Sequence, residues 1–294
     1  MIVGAVLDDL DSRSGSTTSL LRTIVGLYFR RVGGFMRTAH VVGLMDDLGF
    51  EATRARTAIA RQKNRGLLLA DRSGQIGYRL NPDAVTMLER GDRRIFHIRQ
   101  MSEGDSWCLI SFSIPEDLRD LRDQLRRRLQ WIGCGPVAQG LWIGPDHLRG
   151  EVEEIVDAVG ATPYTTTFRA DAPRVAGTLV DAAAQWWDLD SLRARHEAFL
   201  REVITSRSLP LGDDRGSFVA YVRMIDAWRV LPYVDPGLPA SLLPADWPGQ
   251  RSVDTFTALS EQLASGAWSH VRATVGDGDE LQDCPQGDTL TSST

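Results

Sequence analysis

Apolar positions at helical spacing open the chain. Leu20, Leu21, Ile24, Val25 and Tyr28 follow Ser16-Thr17-Thr18, whose hydroxyls suit a helix N-cap. Arg30-Arg-Val-Gly-Gly34 breaks that helix. A second pattern covers Arg37 to Asp47, with Ala39, Val42, Leu44 and Met45, or a subset of them, facing inward. It stops at Leu48-Gly49-Phe50, where Gly49 suits a positive φ. A third pattern, Glu51 to Arg65, has Ala55, Ala58 and Ile59 as its apolar stripe and ends at Gly66. Two β-type runs follow, Leu67–Arg72 and Gln75–Leu80, around Ser73-Gly74. Helices, a tight turn and a two-stranded ribbon in this order predict a winged helix-turn-helix over residues 16–82.

The pattern then changes. Residues 83–106 read as a connector, helical at first after Asn81-Pro82 and ending in a loop. Trp107–Ile114 is a buried type of strand. A helix over 116–132 has Leu118, Leu121, Leu125, Leu129 and Ile132 on one side and Arg119, Arg122, Arg126, Arg127 and Arg128 on the other. Two short strands around Gln139-Gly140, a helix over about 147–159 and a strand over Ala161–Arg169 complete a βαββαβ order. That order predicts a ferredoxin-like domain over 107–172. Residues 178–273 read as a helical domain, with helices at about 189–205, 214–231 and 252–268 and a proline-rich stretch before the last. The expected fold class is α+β. Residues 1–15 and an acidic tail at 274–294 read as disordered.

Composition narrows the function classes. At 43% hydrophobic and 24% charged, the chain has the make-up of a globular protein, and its length suits two or three domains. No apolar run reaches the roughly 18 residues of a membrane span. The N-terminus lacks the basic start of a signal peptide. Cys108, Cys134 and Cys284 are odd in number and widely spaced, which fits a reducing cytoplasm and neither a disulfide framework nor a zinc site. Net charge is −6, yet residues 14–80 hold eleven Lys or Arg against four Asp or Glu, a local +7. Phosphate binding follows that local surface and not the total.

Thr53, Arg54, Arg56, Thr57, Arg61 and Lys63 on the third helix, with Arg72 and Arg79 on the ribbon, are therefore the candidate contacts to double-stranded DNA. Arg126-Arg-Arg128 suits either the phosphates of a coenzyme A-type ligand or a solvated flank or subunit contact. Trp186-Trp187 suits either an aromatic-ligand pocket or core packing. The histidines at 40, 97, 147, 196 and 270 show no metal-ligand spacing. No Walker A loop, nucleophile elbow or dinucleotide fingerprint is present. No cofactor, metal or catalytic residue is expected.

Several segments carry a resemblance. Arg31-Val-Gly-Gly-Phe35, Leu48-Gly-Phe50, Arg56-Thr-Ala-Ile-Ala-Arg61, Arg65-Gly-Leu-Leu68 and Tyr78-Arg-Leu80 lie in the first part. Trp107, Leu129-Gln-Trp-Ile-Gly-Cys-Gly135 and Leu141-Trp-Ile-Gly-Pro145 lie in the middle, and Leu238-Pro-Ala-Ser-Leu-Leu-Pro-Ala-Asp-Trp-Pro-Gly249 near the end. Over about residues 16–270 the chain resembles the phenylacetic acid degradation repressor family, PaaX. The resemblance implies a homodimeric repressor that binds a palindromic operator and releases it when an acyl-CoA thioester, typically phenylacetyl-CoA, binds. It also implies a middle domain similar to small CRISPR-associated nucleases. A metal-dependent nuclease is thus the alternative. The first strand of that domain ends in Ser113-Ile114-Pro115 and offers no acidic residue for a metal, so the domain reads as non-catalytic. Gln62 stands where the family tends to have a core Leu, which predicts a slight rotation of the helix or a half-exposed Gln62. Leu68 replaces a common Trp, and the loop before Trp107 reads Gly104-Asp-Ser106.

Overall fold

The computed structural model describes residues 13–72, 74–206 and 213–276. The expected acidic tail lies mostly outside them, as do the start of the chain and Ser73 at the ribbon turn. Among the described residues no helix is long and apolar enough to cross a membrane.

The first elements are α1 (Thr17–Ile24), extended by a π-helical turn to Phe29, β1 (Phe35–Arg37), α2 (Thr38–Asp47) and α3 (Ala52–Asn64). The wing is β2 (Leu68–Asp71) and β3 (Gly77–Leu80), followed by α4 (Val85–Phe96). The middle part runs β4 (Trp107–Phe112), α5 (Arg119–Trp131), β5 (Gly135–Ala138), β6 (Leu141–Pro145), α6 (Arg149–Val159) and β7 (Thr165–Ala170). The rest is helical: α7 (Leu179–Trp186), α8 (Leu189–Ser206), α9 (Asp214–Trp228), the short α10 (Leu231–Val234) and α11 (Gly249–Val275).

Two compact units form, and neither is continuous in sequence. Of the described residues, one unit holds those up to Leu88, those within Ser206–Asp226 and those from Leu259 to Gly276; the other holds Glu89–Thr205 and Ala227–Ala258.

In the first unit, Ser16 caps α1 by accepting a hydrogen bond from the Ser19 amide at 3.2 Å. Leu20, Leu21, Ile24, Val25, Tyr28 and Phe29 are fully buried. Tyr28 stacks on Trp268 of α11, with ring centroids 6.3 Å apart, and tilts against Phe218 of α9. The carboxylate of Asp226 on α9, 1% exposed, accepts from the hydroxyls of Ser19 (2.5 Å) and Thr23 (3.0 Å), one turn apart on α1. It also accepts from the Gly15 amide at 2.7 Å and the Ser14 hydroxyl at 3.1 Å. A buried carboxylate is tolerated only when its lone pairs are filled in this way. None of these long-range partners is visible in local periodicity.

Two expectations for this unit need correction. The sheet has three strands, in the order β1-β3-β2, and not a two-stranded ribbon alone. β1 has only three residues, too few to show a period of two, and Phe35 pairs with Arg79 across it. Gly77 permits the approach, since a Cβ there would lie 2.5 Å from the Phe35 ring and 2.6 Å from the Met36 carbonyl oxygen. The inner face of α2 is Val41, Leu44 and Met45, while Ala39 is exposed.

In the second unit the β4–β7 sheet has the order β5-β6-β4-β7 with every pair antiparallel. This is the ferredoxin-like arrangement the βαββαβ order predicts. Leu125 and Leu129 of α5 and Ile132 just after it pack with Val152 and Val156 of α6 on Cys108, Ile110 and Trp142 of the sheet. Burying a Leu of this kind is worth about 1.5–3 kcal/mol. Arg128, expected on the polar side of α5, is buried instead. Trp186 and Trp187 meet edge-on, and the Trp187 indole donates to the Gly133 carbonyl at 2.8 Å. That is core packing, one of the two readings left open for the pair. The helical start expected of the connector is α4, which runs through Gly91 to Phe96. α7 carries the chain into the helical region and was not anticipated from periodicity.

Candidate nucleic-acid interface

The third helix is held by its two ends. α2 closes with Gly49 at φ 87°, its amide bonded to the Asp46 carbonyl at 2.8 Å and the next amide, Phe50, to the Met45 carbonyl at 3.0 Å. α3 closes the same way. Gly66, at φ 78°, donates to Lys63 and Leu67 donates to Gln62. Both are Schellman motifs, which need a residue that tolerates the left-handed region. The first sets the turn into α3 and the second sets the exit to the wing. Asn81 then ties the wing back, its side-chain amide donating to the Gly66 carbonyl at 2.7 Å and its backbone amide to Leu67 at 3.0 Å.

Between these ends α3 buries Ala55, Ala58, Ile59 and Gln62, positions that recur every three or four residues. Two alanines let the helix lie close to its neighbours. Gln62 is 1% exposed, and its amide donates to the Thr18 carbonyl on α1 at 3.3 Å. The expected half-exposure of Gln62 is therefore wrong. A buried amide is accommodated by a backbone acceptor, so no rotation of the helix is needed to expose it.

The opposite face is polar and open. Arg54, Thr57 and Arg61 form one exposed stripe, and Thr53, Arg56 and Lys63 form the next. Thr57 bonds back to the Thr53 carbonyl at 3.0 Å, which fixes its hydroxyl along the helix. Arg72 is exposed where β2 ends. Among the described residues, Arg54, Arg56, Arg61, Lys63 and Arg72 make no ion pair. Arg79 differs from the other candidates. Its Nε donates to Asp71 across the β2–β3 ladder, and its guanidinium sits 5.2 Å over the Phe35 ring. Its charge is thus already engaged inside the wing. Arg37, exposed just before α2, lies in the same cationic segment and adds a cation that helical periodicity on α3 does not point to.

Chemically, this surface offers long cations and short hydroxyls on a helix beside a hairpin. Such groups suit phosphates and base edges of a duplex groove. Among the described residues no cluster of three or more His, Cys, Asp or Glu side chains is placed to hold a metal ion.

Comparison with known proteins accounts for the whole arrangement. Three family models match in order: PaaX-like protein at residues 16–84, the PaaX protein central Cas2-like domain at 100–180, and the PaaX-like protein C-terminal domain at 187–273. The transcriptional repressor PaaX of Escherichia coli strain K12 is 25% identical over 265 residues, covering 87% of this chain and 83% of that protein. Among solved structures, an uncharacterized protein from Mycobacterium tuberculosis is 25% identical with a TM-score of 0.55, over 86% of this chain and 99% of the other. With all three parts matched in sequence order, the chain belongs to the PaaX family.

Proposed function

We propose that this chain is a DNA-binding transcriptional repressor that works in the cytoplasm as a homodimer. It sits on a palindromic operator and leaves it when a small effector binds, an acyl-CoA thioester such as phenylacetyl-CoA. The observation that carries the reading is the row of cations Arg54, Arg56, Arg61 and Lys63 on α3, with Arg72 at the wing, which have no ion-pair partner among the described residues. Some arginines elsewhere in the chain find carboxylates, as half-buried Arg193 does with Asp246 and exposed Arg215 with Asp47. Cations left without internal partners are free to release counterions from a phosphate backbone. The similarity to a transcriptional repressor supports the same reading.

A two-fold dimer would place two copies of α3 in successive major-groove faces, with half-sites about 34–36 Å apart or a multiple of that. Thr53, Arg54, Arg56, Thr57 and Arg61 are the groups assigned to base edges and nearby phosphates, and Lys63 and Arg72 to the backbone, with Arg79 reaching a phosphate only by sharing the charge it gives Asp71. Release requires only that the effector bind the DNA-incompetent arrangement better than the DNA-bound one, with a coupling of about 1–3 kcal/mol. No catalytic step is assigned to any part of the chain.

The test is footprinting of the full-length protein on DNA upstream of its own gene and its neighbours. The expected result is two protected half-sites related by a dyad, lost on adding phenylacetyl-CoA or another thioester from a panel. Uniform protection of every sequence at moderate salt would overturn the operator reading. Specific protection that no thioester removes would overturn the effector class.

A further inference from the structure

Helix α5 hides a charge that its periodicity assigns to solvent. Arg126 and Arg127 are exposed, but Arg128 is 5% exposed. Its Nε and Nη1 are sealed from solvent and make no hydrogen bond among the described residues. Three positions on, the indole Nε1 of Trp131 is sealed and unpartnered in the same sense. Residues three apart on a helix share a face, so Arg128 and Trp131 lie on the same side of α5. Trp131 packs against Tyr233 of α10, with ring centroids 6.0 Å apart.

A second arginine shows what a satisfied group looks like in this neighbourhood. Arg94 of α4 lies 5.5 Å over the same Tyr233 ring. Its Nε donates to Glu151 at 3.1 Å and its Nη2 to the Ile132 carbonyl at 3.0 Å. Glu151 and the end of α5 are thus committed to Arg94. Arg128 has no such acceptor among the described residues. Burial pulls its pKa below the ordinary value, but a guanidinium remains charged at any physiological pH. A buried cation without an acceptor is costly, and an apolar side chain of similar volume would fill the place without that cost. The cost is recovered when an anion arrives.

We propose that Arg128 and Trp131 form a binding site for the carboxylate or phosphate group of a small molecule. The guanidinium supplies the charge, the indole N–H a second donor, and the Trp131–Tyr233 pair an aromatic wall. As the seat of the effector's acidic group the site rests on the repressor reading; as an oxoanion site it stands without it.

The experiment is thermal denaturation and calorimetric titration of the full-length protein at low ionic strength with two probes, phenylacetate and pyrophosphate. A response to phenylacetate alone assigns a carboxylate, and a response to pyrophosphate alone assigns a phosphate. The expected result is a melting temperature raised by several degrees at saturating probe. Arg128→Met abolishes the rise while melting no lower than the parent, Trp131→Phe weakens the probe by about tenfold through the lost donor, and Arg126→Ala leaves it unchanged. Arg128→Lys restores part of the response. Neither probe binding, or Arg128→Met responding like the parent, overturns the site. So does an equal loss in Arg126→Ala, which would mean a diffuse basic surface. Gel shifts on the same preparations separate the two readings. Operator binding without probe binding sinks the site alone, and probe binding without operator binding sinks the repressor reading alone.

Discussion

Two helices of thirteen residues are rich in arginine, with three on α3 and five on α5, and they use that charge differently. α3 reads ATRARTAIARQKN and contains no acid. α5 reads RDLRDQLRRRLQW and carries Asp120 and Asp123 among its arginines. On α3 the packed side is small, two alanines and an isoleucine with one glutamine, and every cation points away from it. On α5 the packed side is leucine, Arg122 is held by Glu116 at 2.7 Å, and Arg128 is folded inward. Density of positive charge is the same signal in both. What separates them is that α5 carries acids of its own and commits two of its five arginines, Arg122 and Arg128, inside the molecule, while α3 commits none. A surface that keeps its cations unpaired is built for a polyanion, and one that pairs or buries them serves the fold or a small ligand.

The comparison can be broken at its strongest point by removing charge from each helix in turn. Arg54→Ala with Arg61→Ala should weaken operator binding by at least about thirtyfold, at roughly 1–3 kcal/mol for each base contact. The melting temperature should not move, since both side chains are exposed. Arg126→Ala with Arg127→Ala should leave operator affinity intact in the same anisotropy titration. The reverse pattern would transfer the DNA role to α5. Packing gives the next largest effect. Leu129→Ala should cost about 2–5 kcal/mol in denaturant unfolding, because it empties a fully buried position. On α3 the harmful change runs the other way. Ala58→Leu should cost about 1–3 kcal/mol by overfilling the close approach.

Acid offers a third discrimination. Burial, and then the charges of Arg94 and Arg99, push the His147 pKa down to about 4 from its ordinary 6.5. The unfolded chain therefore binds the extra proton between those values, so stability falls as pH drops from about 6.5 toward 4. The melting temperature of the second unit should decline over that window, and His147→Asn should flatten the decline. An equal decline in the variant would place the acid sensitivity elsewhere. The smallest effect belongs to Arg122→Ala. Its hydrogen bond to Glu116 holds that carboxyl below its usual range, and the charge beside it adds to this. NMR titration should show the Glu116 pKa returning upward while the melting temperature stays within error.

Much of the DNA-binding unit could be read from the chain because its determinants are local. Gly49 and Gly66 mark the two ends that aim α3, and the alanines at 55 and 58 betray the packed face. β1 was missed because three residues cannot display alternation and its partner, β3, lies forty residues on. The burial of Arg128 was missed for a different reason. Helical periodicity places a residue on a face but does not say what covers that face. The partners of Asp226 lie more than two hundred positions away, so no window on the sequence could show them. Gln62 falls between these cases: its stripe position predicted an inward side chain, and only its amide argued otherwise.

Those Asp226 bonds, with the stack of Tyr28 on Trp268, have a practical consequence for anyone hoping to transplant the reader. A fragment ending near residue 88 would leave the Ser19 and Thr23 hydroxyls without their acceptor and one face of Tyr28 bare. Grafting only the helix-turn-helix and wing onto another sensor would therefore yield a sticky, poorly packed module. A portable reader must bring residues 213–226 and 259–276 with it, so the interchangeable part is a set of three separate stretches of chain that have to be exchanged together.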